Sequence, residues 1–380
     1  MTPPRTAPAV LIAPDKFKGS LSAAEVTTAL THGIHRAAPH TAVLSCPIAD
    51  GGDGTVDAAL AAGSTAHSIT VTGPTGEARR SRYALAGDVA VVELAETVGL
   101  AALPGGALAP HTASTRGLGE LIAAAVAGGA RTVVVGLGGS SSTDAGAGLL
   151  QGLGARLLTT RGEEIAPGTE GLAELASADL APALEALDGA TLIAANDVTN
   201  PLLGPDGAAA VYGPQKGLGP GEVAQVDALL SRAAGILDPS GALPGREGAG
   251  AAGGTGFALF LLGAQQRSGA DAVLELAGFD ALLARAELVI TGEGKLDEQT
   301  LQGKGPAEVA RRARAAGLPV VAVAGALALD PAALTEAGIE HAFDLTSRAG
   351  CVEEAICRAQ DLLVEVGQDL AAQLLDTSRG

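Results

Sequence analysis

Cations are scarce in this chain and almost all of one kind: nineteen Arg and only five Lys face 42 Asp plus Glu in 380 residues, leaving a net charge of −18. With a pI near 4.7, the average field repels phosphate backbones and anionic membrane surfaces, which argues against nucleic-acid and membrane partners. A small anionic ligand stays open, provided that cations are gathered at its site. Cysteine is limited to Cys46, Cys351 and Cys357. An odd number without C-x-x-C spacing fits neither a disulfide framework nor a zinc site, and suits a reducing cytoplasm. No stretch of about 18 residues is apolar and free of charge and Gly, and the N-terminal segment lacks an apolar core followed by a cleavage site. The expectation is a soluble, cytoplasmic protein. Asn is rarer than Lys, with Asn196 and Asn200 alone, and there is no Trp and one Met. Where Arg serves as the general surface cation, Lys is expected mainly where a compact, rotatable ammonium is required. The rare residues therefore act as markers.

What is present is a folded composition. Hydrophobic residues make up 47% of the chain, mean hydropathy is +0.31, and Gly and Pro together stay below the roughly 25% that marks low-complexity chains. At roughly 100 to 200 residues per domain, the length favours two domains. Val10 to Ala13 is a short apolar run, and Ser22-Ala-Ala-Glu25 is a capping box that opens an Ala-rich helix to Ala38. Thr41 to Pro47 predicts a second strand. At the other end, strand-like runs at 288–291, 319–324 and 341–345 alternate with helical segments near 306–316, 331–337 and 351–375. That alternation predicts parallel βαβ units. Neither end holds enough strands for a covered sheet, so the two ends are expected to combine. The middle differs: 68–71, 79–85 and 89–94 read as antiparallel hairpin strands, followed by strands at 131–136 and 191–195 and helices near 117–127, 144–151, 221–236 and 270–285. The expected fold is α/β. A doubly wound, Rossmann-like parallel-sheet domain forms from 1–66 and 286–380, and a second α/β domain with antiparallel hairpins is inserted as 67–285.

All five Lys fall in short polar loops, and four of them adjoin a Gly. APDKFKGS places Asp15, Lys16 and Lys18 at the end of a strand, where open α/β sheets bind ligands; a plain turn is the structural alternative. In ADGGDG, Asp50 and Asp53 sit on a loop flexible enough to bring two carboxylates onto a hard cation or a hydroxyl, or to stand as a solvated turn. GLGGSSSTDAGAG at 136–148 follows the strand TVVVG and precedes a helix. Its glycines let main-chain amides approach an anion, and Ser140 to Thr143 add hydroxyls; otherwise it is a Gly-rich turn capped by Asp144. TGEGKLDEQTLQGKGPAEV carries Glu293, Lys295, Asp297 and Lys304, alternating the acids that hold Mg²⁺ with the cations that neutralise phosphate oxygens.

Taken in order, IAPDKFKGSLSA, PIADGGDGT, GLGGSSSTDAGAG, NDVTNPLLGPDGAA, YGPQKG, GAAGGTG and ITGEGKLDEQTLQGKGP resemble the signature stretches of the glycerate kinase family of the bacterial, type-one kind, from about residue 10 to 345. The resemblance implies a two-domain α/β fold with an inserted middle domain. It also implies ATP-dependent phosphorylation of D-glycerate in an interdomain cleft, with Mg²⁺ accompanying the nucleotide. The usual product is 2-phosphoglycerate; the alternatives are a 3-kinase, giving 3-phosphoglycerate, or a kinase of a related small hydroxy acid. Three positions depart from the family pattern. Thr143 stands where Asn is frequent within a run that more often ends Asn-Asp-Gly-Gly, Asp53 stands where Glu is common, and Arg116 replaces a frequent aromatic.

The expected site follows from both readings. Asp50 or Asp15 deprotonates the hydroxyl, and Lys16 completes the catalytic set. Gly138, Gly139, Ser140, Ser141, Ser142 and Thr143 receive the ATP phosphates, with Lys295 or Lys304 as charge partners. Lys16, Lys18 or Arg116 holds the glycerate carboxylate, and Asp53, Asn196, Asp197 and Lys216 are the remaining substrate-binding residues. Asp144, Glu293 and Asp297 are the expected Mg²⁺ ligands. A hydroxy-acid dehydrogenase is the competing enzyme reading, but G-x-G-x-x-G from Gly136 meets Ser141 at its last position and none of these loops holds a His to act as base. An anion-binding sensor is the non-enzymatic reading, and would bind without releasing ADP.

Overall fold

The computed structural model describes residues 9–49, 51–302 and 305–377. Among these residues thirteen strands follow in chain order: β1 (Ala9–Pro14), β2 (Ala42–Ser45), β3 (Thr65–Thr72), β4 (Ala78–Ala86), β5 (Val89–Glu93), β6 (Thr132–Gly136), β7 (Arg156–Leu158), β8 (Ser177–Asp179), β9 (Thr191–Ala195), β10 (Gln265–Arg267), β11 (Leu288–Leu296), β12 (Val320–Leu327) and β13 (His341–Asp344). The chain divides into two compact units. A terminal unit comprises described residues 9–49, 57–62 and 270–377, and an inserted unit comprises Gly51–Val56 and Gly63–Gly269.

The terminal unit is built on one parallel sheet of order β13-β12-β11-β1-β2. β1 reads AVLIAP without a polar break because both faces are covered. Strand alternation sends Val10 and Ile12 into one core with Leu30, Ile34, Leu363 and Val366, and Leu11 and Ala13 into another with Val289, Phe279 and Val309. Each of the larger of these side chains contributes about 1.5–3 kcal/mol by leaving water. The expected capping box forms: Ser22 Oγ accepts from Glu25 N while Glu25 accepts from Ser22 N, opening the helix Ala23–Ala37. That helix crosses Ala359–Thr377 so closely that a Cβ on Gly33 would stand 2.1 Å from the Val364 carbonyl oxygen.

The inserted unit has a six-stranded sheet of order β10-β9-β6-β5-β4-β3. β5, β6, β9 and β10 run parallel, while β3, β4 and β5 form the expected antiparallel meander. β7 and β8 add a separate two-stranded ribbon that the sequence did not announce, since each strand is three residues long. One core spans the unit, with Val92, Leu118, Ile122, Val133, Val135 and Leu149 at its centre.

Two boundaries differ from expectation. The chain leaves the inserted unit at 269 rather than near 286, because the expected single helix at 270–285 is two helices, Gly269–Leu276 and Phe279–Leu283, whose Leu274, Phe279 and Leu283 join a core of the terminal unit. The break falls at Gly278, in the left-handed region at φ 63°. Residues Gly51–Val56 group with the inserted unit although they precede it in sequence. Among the described residues no helix is long and apolar enough to cross a membrane.

Candidate active site

In the terminal unit β1 leads through its helix to β2 on one side, and β11 leads through Gly305–Ala315 to β12 on the other. Adjacent strands whose connections diverge make a topological switch point, and ligands bind beyond the carboxyl ends of such strands. Asp15 and Glu293 stand there. Asp15 is buried to 8% exposure, its amide donates to the Gly292 carbonyl at 2.7 Å, and its Oδ1 accepts from Lys16 N at 2.6 Å. The next residues form a tight loop closed by reciprocal main-chain hydrogen bonds between Phe17 and Leu21 at 2.8 and 3.0 Å. Buried Phe17 anchors the loop, which leaves Lys18 exposed and Lys16 half-buried.

β11 runs on past its sheet core, carrying Glu293 and Lys295 in extended chain against β12. A Cβ on Gly294 would lie 3.1 Å from Lys18 N, and one on Gly325 would lie 2.5 Å from the Gly294 carbonyl oxygen. Bare backbone at these two positions lets three segments converge. Lys295 pairs with Asp297 at 3.1 Å, and Asp297 Oδ1 accepts from Gln299 N while its own amide donates to Thr300 Oγ1, both at 3.0 Å. Asp15, Lys16, Lys18, Glu293, Lys295 and Asp297 line one cavity of about 480 Å³. Asp50 and Lys304, expected as base and phosphate partner, lie outside the described residues.

A second group forms at the carboxyl edge of the inserted sheet. Residues 51–55 press against the loop after β6: a Cβ on Gly138 would lie 2.3 Å from Gly52 Cα, and one on Gly51 would lie 2.6 Å from the Ala195 carbonyl oxygen. Gly139, at φ 72°, faces the Asp53 carboxylate. The acidic loop is held from beneath by Glu93, which the sequence reading did not single out. Its two carboxylate oxygens accept from Gly54 N and Val56 N, each at 3.1 Å. Burial pushes its pKa up to about 7 against the pull of those hydrogen bonds, and the nearby charges of Glu96 and Asp53 add to the rise. The signal available was slight: an acid ending the apolar strand VAVVE.

The hydroxyls of the Gly-Ser loop turn inward. Ser141 Oγ donates to the Val98 carbonyl at 2.7 Å, and Ser140 Oγ lies within reach of the Ser142 carbonyl and hydroxyl and the Ala252 carbonyl. Thr143 is fully buried and its Oγ1 has no partner among the described residues. Asp144, expected on the metal, is instead fully buried and accepts four hydrogen bonds, from Thr115 N, Thr115 Oγ1, Gly146 N and Gly148 N at 2.8 to 3.2 Å. Burial pushes its carboxyl up. Lys216, expected at the substrate, is 1% exposed and donates through Nζ to the Ser142 carbonyl. Burial holds its ammonium down to about 7, opposed by the Asp144 charge. Both residues fix the loop from inside, which follows from the same physics as the expected role, since a charge in a Gly-rich turn serves a ligand only where solvent reaches it. Arg116 pairs with Glu120 at 3.2 Å on its own helix, and Glu120 also accepts from Thr72. Asn196 and Asp197 follow β9. Asn196 Oδ1 accepts from Val198 N, its Nδ2 is buried without a partner among the described residues, and Asp197 is exposed.

The model of the glycerate kinase family matches residues 10–375. The chain is 40% identical over 371 residues to a Bacillus subtilis protein named glycerate kinase, spanning 96% of this chain and 97% of that one. It is 38% identical over 372 residues to an Escherichia coli protein named glycerate 2-kinase, with 96% and 97% covered. A crystal structure of a candidate glycerate kinase 2 from Salmonella typhimurium LT2 superposes with a TM-score of 0.85 at 37% identity, covering 98% of this chain and all of the other.

Proposed function

The chain belongs to the glycerate kinase family, and from that premise we propose that it transfers the γ-phosphoryl group of ATP to the 2-hydroxyl of D-glycerate, releasing ADP and 2-phospho-D-glycerate. The observation that carries this reading is the cavity at the β1/β11 switch point, where three ammonium groups and three carboxylates meet. Phosphoryl transfer asks a protein mainly for positioning and charge neutralisation, and this set supplies both.

The donor set also fits Mg²⁺. Among the described residues no three acidic, His or Cys side chains gather into a cage, and Mg²⁺ is ordinarily held by one or two carboxylates plus substrate phosphates. Glu293 and Asp297 are the carboxylates for it, and when bound it neutralises phosphate charge. Lys16, Lys18 and Lys295 neutralise the transferring group. Asp15, beside Lys16 at the strand end, or Asp50 takes the hydroxyl proton. Asp53, Gly138, Gly139, Asn196 and Asp197 form the second ligand-contacting group, while Glu93, Asp144 and Lys216 hold its loops.

An ADP-release assay with D-glycerate tests the proposal, and phosphorus NMR of the product assigns the hydroxyl. Release of ADP with a phosphorus signal at C3 replaces the 2-kinase by a 3-kinase, and no ADP release with D-glycerate removes the reading.

A further inference from the structure

Besides its charged groups, the terminal-unit cavity has an apolar part to its wall. It is formed by Leu345, just past β13, and by the helix Val352–Cys357. Val352 and Ile356 are 49% and 45% exposed, and they are two of the five large hydrophobic side chains so exposed among the described residues. They lie four residues apart, hence on one helical face, and both line the cavity, with buried Ala355 between them. Two exposed aliphatic side chains at helical spacing, aimed into a concavity rather than scattered, mark a surface that a ligand covers.

The chemistry of the two ends constrains the ligand. Lys16, Lys18 and Lys295 call for anionic oxygens, while Leu345, Val352 and Ile356 call for a flat or bulky apolar group. D-Glycerate has three carbons bearing a carboxylate and two hydroxyls, so it presents no apolar face and cannot cover that wall. At about 480 Å³, the cavity falls within the roughly 300–1,000 Å³ of sites that enclose larger small molecules. A nucleoside di- or triphosphate has both ends. In the Ser140–Thr143 loop, the expected place for its phosphates, the Ser140 and Ser141 hydroxyls turn onto main-chain carbonyls of the inserted unit and Ser142 and Thr143 are fully buried.

We infer that the terminal unit binds the nucleotide, with the base against Val352 and Ile356 and the phosphates toward Lys16, Lys18 and Lys295. This assignment rests on the kinase reading and deepens it, since it moves the nucleotide from the Gly-Ser loop to the β1/β11 switch point and names the residues that recognise the base.

Thiol protection tests it without relying on turnover. Cys351 and Cys357 are exposed and Cys46 is buried, so Ile356→Cys in a Cys351→Ser/Cys357→Ser background places one reactive thiol on the wall; Val352→Cys gives the same readout independently. At a concentration ten times its Kd, ADP slows modification of that thiol about tenfold, whereas D-glycerate leaves the rate unchanged. In the otherwise unaltered enzyme, Ile356→Asp raises KM for ATP about tenfold or more without raising KM for D-glycerate, and Ile356→Val raises it less. An unchanged thiol rate with ADP, or protection by D-glycerate instead, overturns the assignment. Absence of ADP release by the unaltered protein removes the kinase reading, while thiol protection still decides the nucleotide site.

Discussion

Lys216 donates its ammonium proton to the main-chain carbonyl of Ser142, 74 residues earlier in sequence and wholly inside the inserted unit. The contact shapes the Gly-Ser loop from behind, where a Cβ on Gly253 would strike both groups. Removing the side chain leaves the buried Ser142 carbonyl with only the long 3.4 Å contact from Ser140 Oγ, and a void. Lys216→Ala is expected to cost about 2–4 kcal/mol in denaturant unfolding, and Lys216→Met, which fills the space, to cost less.

The same lysine predicts a pH signature. Its folded pKa lies near 7, below the ordinary 10.5, so between those values the unfolded chain binds the extra proton. Stability therefore rises from pH 7 toward pH 10 through this group. Unfolding curves at pH 7, 8 and 9 should show the rise in the parent protein and a flatter profile in Lys216→Met.

Glu93 has the opposite sense. Its folded pKa of about 7 exceeds the ordinary 4.5, so its favourable contribution is complete below about pH 4.5 and is lost as pH rises toward 7. Glu93→Gln keeps one acceptor for Gly54 N and Val56 N where there were two. It should destabilise the protein by about 1–2 kcal/mol at pH 5 and by less at pH 8. Because the loop it supports carries Asp53, kcat should also fall, and Glu93→Asp should not restore it, being one methylene too short to reach both amides.

Ala145 sits in the left-handed region at φ 53°. The conformation costs a non-glycine residue about 1–2 kcal/mol, while Gly at the same place costs about 0.4–1 kcal/mol in unfolded-state freedom. The first effect is the larger. Ala145→Gly should stabilise by roughly 0.5–1 kcal/mol, read as a raised midpoint in urea. An unchanged or lowered midpoint refutes the account.

Asp15 is the described carboxylate placed at the end of β1 with two lysines beside it. Asp15→Asn keeps its shape and removes its basicity. If Asp15 takes the hydroxyl proton, kcat drops about 10²-fold or more, the lower range for general-base catalysis, with KM for ATP and the unfolding midpoint little changed. Near-normal turnover assigns the proton elsewhere and leaves Asp50 as the base.

The sequence made the terminal unit legible because its strands are unbroken apolar runs such as AVLIAP and its first helix has an explicit cap. The positions of Asp15, Lys16, Lys18, Glu293 and Lys295 followed, since strand ends in parallel sheets are where polar residues can face a ligand. Burial was not legible. GSSSTD has the composition of an exposed anion cradle, yet Ser140, Ser141 and Asp144 are satisfied by Ala252, Val98 and Thr115, partners from 43 residues before to 112 residues after them that no local pattern could reveal. Glu93 was missed for the converse reason, because an acid at a strand end looks exposed until Gly54 and Val56 fold over it. The apolar wall escaped because Val352 and Ile356 at helical spacing look like core.

β1 pairs with β11 in a register that joins Val10 to Leu288, and this has a consequence during synthesis. When the inserted unit has left the ribosome complete, β1 has only β2 to pair with, and its other edge waits for a strand not yet made. The inserted unit, closed on its own core, can fold first. The terminal sheet must form across the whole length of its insertion, so nascent chains halted before residue 288 should protect the inserted segment from protease while leaving the N-terminal strands open to cleavage.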